Sequence, residues 1–398
     1  MRMDVASTPG EAAPASIVMR ALLCLALAGI LLAPGSAANA SAAASSKPWL
    51  WQCTQIHNLE AQYHCYVRLL RNDVEASRSP ALELPRIDRR VTALGGAVEA
   101  GCHVLMHEVG REFARDRHLT LESLQHYVPR SNNPNCSAGF GMGLVMYLGP
   151  QIIRSGGQSA VRTCERLPTR YRQYTCVHGL GHALLRAYHG DLGEAVRACR
   201  KLRKTFAPDC AQGVFHDYWI SLRGADGTTE PRQVLSARTL CDGRLTYVKP
   251  CWYRYFLESP TALPVRDAAD LRRSCKGLDA LERFGCISAA ALTISSNPFD
   301  QMRVCAKLRA ADAAACLRGV PDQALAGQPA QQLRLIRECA RVDAGAQQAC
   351  YEWLGRTLAV VTNGAFRASG CTKLSAAVAR RDCVSGASRM GDALVTFS

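Results

Sequence analysis

The sequence predicts an all-α protein in which about ten disulfide-stapled helical hairpins stack into an α-solenoid. After residue 160, cysteines occur in seven pairs whose members are 10 to 12 positions apart, and the first members recur every 30 to 42 residues. Such a period is typical of helical-repeat arrays, because a single hairpin cannot bury its apolar face without neighbours. The segments around the cysteines also carry apolar residues at helical spacing, as in 192–202, and alternating β-branched runs are sparse.

Each repeat is predicted to contain a helix A with the first cysteine, a short turn, and a helix B that opens at the second cysteine. Pro208 and Pro250 precede Cys210 and Cys251, and proline is tolerated in the first turn of a helix because its missing N–H is unpaired there anyway. Alignment on the second cysteine extends the array towards the N-terminus. The ten predicted helix-B starts are Cys65, Cys102, Cys136, Cys176, Cys210, Cys251, Cys286, Cys316, Cys350 and Cys383.

Local pairing of the cysteines predicts eight bridges within hairpins. Each would close a loop of 10 to 12 residues and contribute ~2–3 kcal/mol by constraining the unfolded chain. Cys102 and Cys136 have no upstream partner at this spacing, so they either bridge each other between neighbouring repeats or remain free thiols; an oxidising compartment favours the bridge. The predicted bridges within hairpins are Cys53–Cys65, Cys164–Cys176, Cys199–Cys210, Cys241–Cys251, Cys275–Cys286, Cys305–Cys316, Cys339–Cys350 and Cys371–Cys383.

The N-terminus has the pattern of a secretory signal peptide over residues 1–40. Arg20 precedes an apolar run, 21–33, and the small-residue stretch that follows ends in Ala-Asn-Ala. Thirteen residues make ~20 Å of helix, short of a ~30 Å hydrocarbon core, so cleavage is favoured over a retained span. Residues 41–48 form a small, polar linker. Cleavage removes Cys24 from the nineteen cysteines and leaves eighteen, which favours a disulfide framework in an exported protein, periplasmic or secreted.

The mature chain is predicted to divide into N-terminal repeats over 49–256, which contain a cluster of histidines, and C-terminal repeats over 257–398, which act as scaffold and cap. No segment of the mature chain reaches 18 consecutive apolar residues, so we expect no membrane span after cleavage. The net charge of +15 favours an anionic partner, such as an envelope protein, peptide or polymer, although a solvated basic face explains it more simply. Basic and aromatic residues form no nucleic-acid-binding motif, and no nucleic-acid partner is expected.

In outline, this predicted array resembles the disulfide-stapled Sel1-type repeat proteins, which are helical hairpins with a bridge in each repeat. The resemblance covers most of the chain and implies a stack of hairpins. The Leu-Gly pattern and the Tyr with Gly-x-Gly of Sel1 repeats do not recur here, and the cysteine spacing is longer. The resemblance is therefore one of architecture.

Two pairs of histidines are four residues apart, and each pair lies just inside a predicted helix B. They are His103 with His107 and His178 with His182. Ten histidines in a chain of 398 residues would give ~0.25 such pairs by chance if positions were independent. Residues four apart share a helix face, so each pair directs two imidazoles the same way.

The register of the repeats places further residues on the same surface. His182, His216 and Met142 each lie six residues after a helix-B cysteine, and His107 lies five after its own. Because neighbouring helices pack ~8–10 Å apart, equal offsets should form a row along the array. The pattern recurs after 74 residues, which maps Met142 onto His216 and indicates a duplicated two-hairpin unit. We therefore expect His107, His182 and His216 to converge on one centre, supported by His103 and His178.

Converging neutral imidazoles suit a transition metal such as zinc, copper or iron, and the thioether of Met142 shifts the preference towards copper. Glu108 and Asp217 directly follow row histidines and are candidates for a carboxylate ligand, a hydrogen-bond acceptor for a ligand, or a general base. Tyr253 and Arg254 follow a helix-B cysteine at the same surface and are candidates to close one end of a pocket. The predicted metal ligands are His103, His107, His178, His182 and His216.

Motifs for other cofactors are missing from the sequence. It has no C-x-x-C-H for covalent haem, no nucleotide-binding fingerprint, and no second zincin histidine after Glu108. Three hypotheses follow: a transition-metal site, with or without enzyme activity; a pocket for a non-metal ligand; and a structural polar layer in a scaffold that binds an envelope protein, peptide or polymer. The histidine row favours the first, and the absence of histidine from the helices B after Cys275 favours the last.

Overall fold

The computed structural model describes residues 49–77, 79–130, 135–155, 158–221, 237–241, 246–258, 265–295, 297–320 and 329–391. Every regular element in these ranges is a helix, which confirms the predicted all-α class. None of the helices found there is both long and apolar enough to cross a membrane. The predicted signal peptide, its Cys24 and the linker lie outside the described residues.

The described ranges contain twenty-one α-helices, and short 3₁₀ segments follow three of them. In chain order the α-helices are α1 (Trp51–Thr54), α2 (Leu59–Ala76), α3 (Pro80–Leu94), α4 (Gly96–Asp116), α5 (Leu124–Tyr127), α6 (Cys136–Tyr147), α7 (Gly149–Arg154), α8 (Gln158–Glu165), α9 (Arg170–Ala187), α10 (Leu192–Arg200), α11 (Ala207–Ser221), α12 (Ala237–Cys241), α13 (Val248–Glu258), α14 (Ala268–Ser274), α15 (Ala280–Ala290), α16 (Pro298–Cys305), α17 (Ala310–Arg318), α18 (Pro329–Arg337), α19 (Ala344–Val361), α20 (Ala365–Ser369) and α21 (Ala377–Ser388). The 3₁₀ segments are Ala291–Thr293, Glu338–Arg341 and Cys371–Lys373.

Ten of these helices carry the second cysteine of a repeat and are the helices B: α2, α4, α6, α9, α11, α13, α15, α17, α19 and α21. The prediction that helix B opens at the cysteine is wrong for all of them except α6, and seven begin six residues earlier. Several starts are set by polar caps upstream of the disulfide. Asn58, Thr169 and Asp279 each accept a backbone N–H in the first turn of α2, α9 and α15. Asp279 forms a capping box with Glu282.

Nine disulfides fasten the helices. The eight predicted bridges within hairpins are present, and Cys102 is bonded to Cys136, which joins α4 to α6. The bonded residues have Cα–Cα distances of 5.0 to 5.8 Å, in the range usual for disulfides. All eighteen bonded cysteines are buried. So many intramolecular bridges favour an oxidising, extracellular compartment.

Neighbouring helices B touch directly where glycines leave out a side chain. An ideal Cβ on Gly139 would overlap the carbonyl oxygen of His103, and one on Gly213 would overlap that of His178. Gly181 stands in the same relation to the carbonyl oxygen of Cys210. The backbones of α4 and α6, and of α9 and α11, are therefore in contact, which brings side chains on neighbouring helices within reach of one another.

The end of the array packs against its N-terminal half. Val360 of α19 shares a buried apolar cluster with Ala138 of α6 and Tyr171 of α9. In an open solenoid each repeat contacts its neighbours alone, so this long-range contact departs from the predicted solenoid. Two larger apolar cores lie beneath the repeats, one formed within 50–252 and the other within 265–387.

Candidate metal centre

Three helices B bring the five predicted histidines into one cluster. α4 provides His103 and His107, α9 provides His178 and His182, and α11 provides His216. Ring centroids lie 4.8 Å apart for His103 and His107, 5.0 Å for His107 and His182, and 4.9 Å for His182 and His216. His178 lies 5.0 Å from His182 and 5.4 Å from His216. The cluster therefore joins side chains from three separate repeats.

His178, His182 and His216 form the tightest part of this cluster. One ring nitrogen of each lies within 4.8 Å of those of the other two, and all three residues are buried. Nε2 of His178 is 3.2 Å from Nδ1 of His216. Imidazoles that share a metal through bonds of ~2.0–2.1 Å place their nitrogens ~3–4 Å apart, so side-chain movements of about 1 Å would form a coordination site. The register predicted a centre formed by His107, His182 and His216. Two of these, His182 and His216, belong to the tight group, and the ring of His107 lies next to that of His182.

Several imidazole nitrogens in the cluster are buried without a hydrogen bond. Nε2 of His107, Nδ1 of His178 and both ring nitrogens of His182 have no hydrogen-bond partner among the atoms of the described residues. Buried polar atoms are nearly always partnered, and one left unpaired costs about 1–3 kcal/mol. Three of the clustered imidazoles therefore have ring nitrogens whose lone pairs are open to a metal ion.

Asp217 supports His182 from the neighbouring helix. Oδ1 of Asp217 lies 3.3 Å from Nδ1 of His182, and Arg186 donates from Nε and Nη2 to the two carboxylate oxygens at 2.9 Å each. Burial raises the pKa of Asp217, but its contacts with His182 and Arg186 outweigh burial and hold that pKa well below its usual range. The ionised carboxylate faces the His182 ring at Nδ1 and stabilises its orientation by charge, although the contact lacks the geometry of a hydrogen bond.

Glu258 of α13 lies beside His216, as Asp217 lies beside His182. Its Oε1 lies 3.5 Å from Nε2 of His216 and 3.3 Å from Nη1 of Arg254. Sequence reasoning placed Arg254 at this end of the site but missed Glu258. The register contained the signal, since Glu258 and Asp217 both lie seven residues after a helix-B cysteine. Two arginine–carboxylate pairs therefore stand beside two of the three central imidazoles, as is common for histidines that bind metals.

Burial keeps four of the five histidines uncharged. It lowers the pKa of His107, His178 and His216 well below 6.5, and the charges of neighbouring histidines and of Arg254 lower these values further. Burial also lowers the pKa of His182, although the neighbouring carboxylate opposes this shift. Neutral imidazoles keep a lone pair at physiological pH, and this is the form that binds a metal.

Two of the predicted site residues lie at the edge of the cluster. Glu108 is ion-paired with Arg111 on its own helix, and nothing in the geometry of the pair directs it to a ligand. Met142 is buried in α6, and an ideal Cβ on Gly179 would lie 2.9 Å from the Met142 Cα. This position therefore packs the backbones of α6 and α9 against each other.

Aromatic and amide side chains border the histidines. The ring of Tyr174 is 5.7 Å from that of His178, and its hydroxyl donates to Oε1 of Gln212 at 2.9 Å. Neither Tyr174 nor Gln212 follows a pattern that singled it out in the sequence. The guanidinium carbon of Arg254 lies 5.7 Å from the ring of Tyr253, the other residue predicted for this end of the site.

The chain matches no protein-family model, and neither a curated protein nor a solved structure is significantly similar to it. These comparisons therefore give no support to the resemblance to Sel1-type repeats suggested by the sequence. The fold and the cluster define its class: a disulfide-rich, all-α protein with a buried group of three histidines at distances compatible with a metal ion.

Proposed function

We propose that this protein is exported and binds one transition-metal ion through His178, His182 and His216, with His107 as the fourth ligand. The observation that carries the proposal is the convergence of three buried, neutral imidazoles with the ring of His107 next to them; three of these four residues have a nitrogen without a hydrogen bond among the described atoms. A bound cation would accept these lone pairs and remove the penalty of leaving them unpaired. His103, whose ring lies 4.8 Å from that of His107, borders this site.

The donor set suits zinc, copper or iron. Imidazole nitrogen is a ligand that all three metals use, whereas magnesium and calcium prefer oxygen donors. The carboxylates of Asp217 and Glu258 supply the acceptors that ligating imidazoles commonly contact, and their arginine partners hold both carboxylates in place.

The burial of the cluster favours metal retention over catalysis. His178, His182 and His216 are at most 5 % exposed. A catalytic metal keeps one coordination position open to water or substrate, whereas a structural site is closed. We therefore propose a site that carries the metal or uses it structurally. The ion pairs of Glu108 and Asp217 support no role for either as a general base.

A second candidate function is an interaction scaffold for an envelope peptide or polymer. It is supported by a cavity of about 610 Å³ in the C-terminal repeats, where basic side chains outnumber acidic ones. Such an excess of positive charge attracts acidic partners. In this alternative the histidines form a structural polar layer, and the 3.2 Å contact of His178 with His216 is one of its hydrogen bonds. The charged residues that line the cavity are Arg266, Asp300, Arg303, Lys307, Glu338 and Arg341.

Metal analysis of the mature chain separates these two functions. Protein purified from a periplasm without a histidine tag should contain about one transition-metal ion per chain. His182→Ala removes the central imidazole and should reduce the metal content about tenfold or more, because a partial ligand set binds much more weakly. His126→Ala is the matched control, since His126 is exposed and lies outside the cluster.

Circular dichroism and peptide mapping under non-reducing conditions report whether the variant keeps its helices and its bridges. Both should persist in His182→Ala, because the disulfides hold the hairpins independently of the metal. A wild-type protein that takes up no zinc, copper or iron on reconstitution would overturn the proposal, and so would a His182→Ala variant that retains its metal.

A further inference from the structure

The metal site proposed above is closed to solvent, so an ion can enter or leave it only when helices move apart. His178, His182 and His216 are 1 %, 0 % and 5 % exposed. Protein interiors are packed as densely as organic crystals and leave no passage for a hydrated ion. Some helix that covers the histidines must therefore move when metal is exchanged.

The helices that carry the histidines are fastened to their neighbours along their backbones. The Cys102–Cys136 bridge joins α4 to α6. An ideal Cβ on Gly179 would lie 2.9 Å from a backbone atom of α6, and one on Gly213 would overlap the backbone of α9. Parting these helices would break a covalent bond or a close backbone contact, so another element is the better candidate for the one that moves.

The C-terminal end of α19 covers the face of α9 that carries the histidines. Tyr171, Tyr174 and His178 follow one another at spacings of three and four residues and share this face. Val360 of α19 is completely buried in an apolar cluster with Tyr171, and Tyr174 packs against the same cluster. The ring of Tyr174 also lies 5.7 Å from that of His178. One aromatic side chain therefore links the end of α19 to the metal site.

No covalent bridge attaches α19 to the helices that it covers. None of the nine disulfides of the described residues joins α19 to α6 or α9, and Gly355 of α19 packs on α21 instead. The large apolar cores of the two halves are separate, one within 50–252 and the other within 265–387. The end of α19 can therefore leave α9 while both cores and all nine bridges stay intact.

We propose that the end of α19 is a gate for the metal site, which admits and releases the ion when Val360 separates from Tyr171 and Tyr174. This inference rests on the proposed metal site. When the gate is closed, Tyr174 packs against α19 and His178, and its hydroxyl donates to Gln212. Separation of α19 would uncover Tyr174 and bring water to His178 behind it. Openings of this kind involve the least fastened elements of a protein and limit the rate of exchange at a buried site.

Transfer of zinc from the loaded mature chain to an excess of chelator measures the opening. Val360→Asp places a carboxylate in the apolar contact and should make zinc release about tenfold faster, because the buried charge disfavours the closed form. Val360→Ala removes two methyl groups without adding charge, and should make release about threefold faster. Val378→Asp is the matched control, because it adds the same charge at a valine of α21 that is 58 % exposed. Its release rate should equal that of the wild type.

The equilibrium affinity for zinc distinguishes a gate from a structural support of the site. The gate is closed in both the metal-free and the metal-bound protein, so weakening it should change the rates of uptake and release alike. The affinity should therefore stay within about twofold of the wild type. Circular dichroism and disulfide mapping show whether each variant is folded. An affinity that falls in step with faster release would overturn the gate, and so would wild-type release rates in both variants of Val360.

A second measurement does not need the metal. Diethylpyrocarbonate modifies neutral imidazoles that reach solvent, and peptide mapping of the metal-free chain gives the rate at each histidine. His178 should react faster in Val360→Ala than in the wild type, whereas the exposed His126 should react equally in both. A wild-type chain that binds no zinc would end the proposed metal function, and the reactivity of His178 would then decide on the gate. An unchanged rate at His178 overturns it.

Discussion

The N-terminal and C-terminal halves of the array carry different types of residue at equivalent positions of their helices B. Two and six residues after the cysteine, the N-terminal half has His178 and His182, whereas the C-terminal half has Arg318 and Arg356. Hairpins and bridges are common to both halves. The difference shows that the repeat provides a constant frame, while the residues at a few register positions determine its chemistry.

The helix contact is also repeated in both halves. In three places a glycine lies against a carbonyl oxygen of the preceding helix B. The glycine is always the third residue after the cysteine of its own helix, and the carbonyl belongs to the second residue after the cysteine of the preceding one. The backbones therefore cross at the same point, and the side chains next to the crossing face one another. The pairs are Gly213 with His178, Gly319 with Ser288, and Gly386 with Glu352.

Burial has opposite consequences for the two kinds of side chain. It lowers the pKa of His178 and His216 well below 6.5, so the imidazoles are neutral and offer lone pairs to a cation. It lowers the pKa of Arg318 only to about 9, so the guanidinium keeps its charge. The same kind of burial therefore leaves the imidazoles of one half neutral and a guanidinium group of the other half charged.

The largest effect is expected from filling a helix crossing. Gly213→Ala would force α9 and α11 apart, because its Cβ overlaps the His178 carbonyl, and should lower the free energy of unfolding by about 1–3 kcal/mol and abolish metal binding. Gly386→Ala should destabilise the protein similarly but leave the metal content unchanged. Urea unfolding and metal analysis measure both effects.

Gly101→Ala is the control for these variants, because Gly101 lies in α4 and an ideal Cβ placed on it would have no atom within 4 Å. It should stabilise the protein slightly, since alanine is the better helix former. If Gly213→Ala retained full metal content, the crossing would not be what brings the histidines together.

An intermediate effect is expected from the carboxylate beside His182. Asp217→Asn keeps the size of the side chain but removes the charge that orients the ring, and should weaken metal binding about 10–100-fold. Competition with a chelator of known affinity measures the change. Glu194→Gln, which removes an exposed carboxylate paired with Arg197, should have no effect. Equal affinity of both variants would mean that Asp217 does not position a ligand.

The smallest effect on the metal site is expected from the C-terminal half. Glu352→Ala should leave the metal content unchanged, because every clustered histidine lies between residues 102 and 256. Metal analysis of this variant, with circular dichroism to check its helices, tests the statement. Loss of metal with the fold intact would place the metal site elsewhere in the chain.

The site was predictable in part from the sequence. The spacing of His103 with His107, and of His178 with His182, was enough to single them out, and the offset from the cysteine added His216. Glu258 could have been found in the same way, because it lies at the same distance from its helix-B cysteine as Asp217 does. Helix starts were misplaced because a capping residue such as Asn58 acts several residues before the cysteine, and the cysteine period says nothing about it.

The sequence by itself determined the all-α class, the pairing of the cysteines within hairpins and the set of histidines that cluster, because each is encoded in spacings within a repeat or in a position shared by several repeats. Tertiary structure alone decided that nitrogens from two helices approach within 4.8 Å, that Glu258 contacts His216, and that Val360 packs near Tyr171. These distances depend on how closely and at what angle helices cross. Glycine contacts between residues tens of positions apart set that geometry, and no local pattern in the chain specifies it.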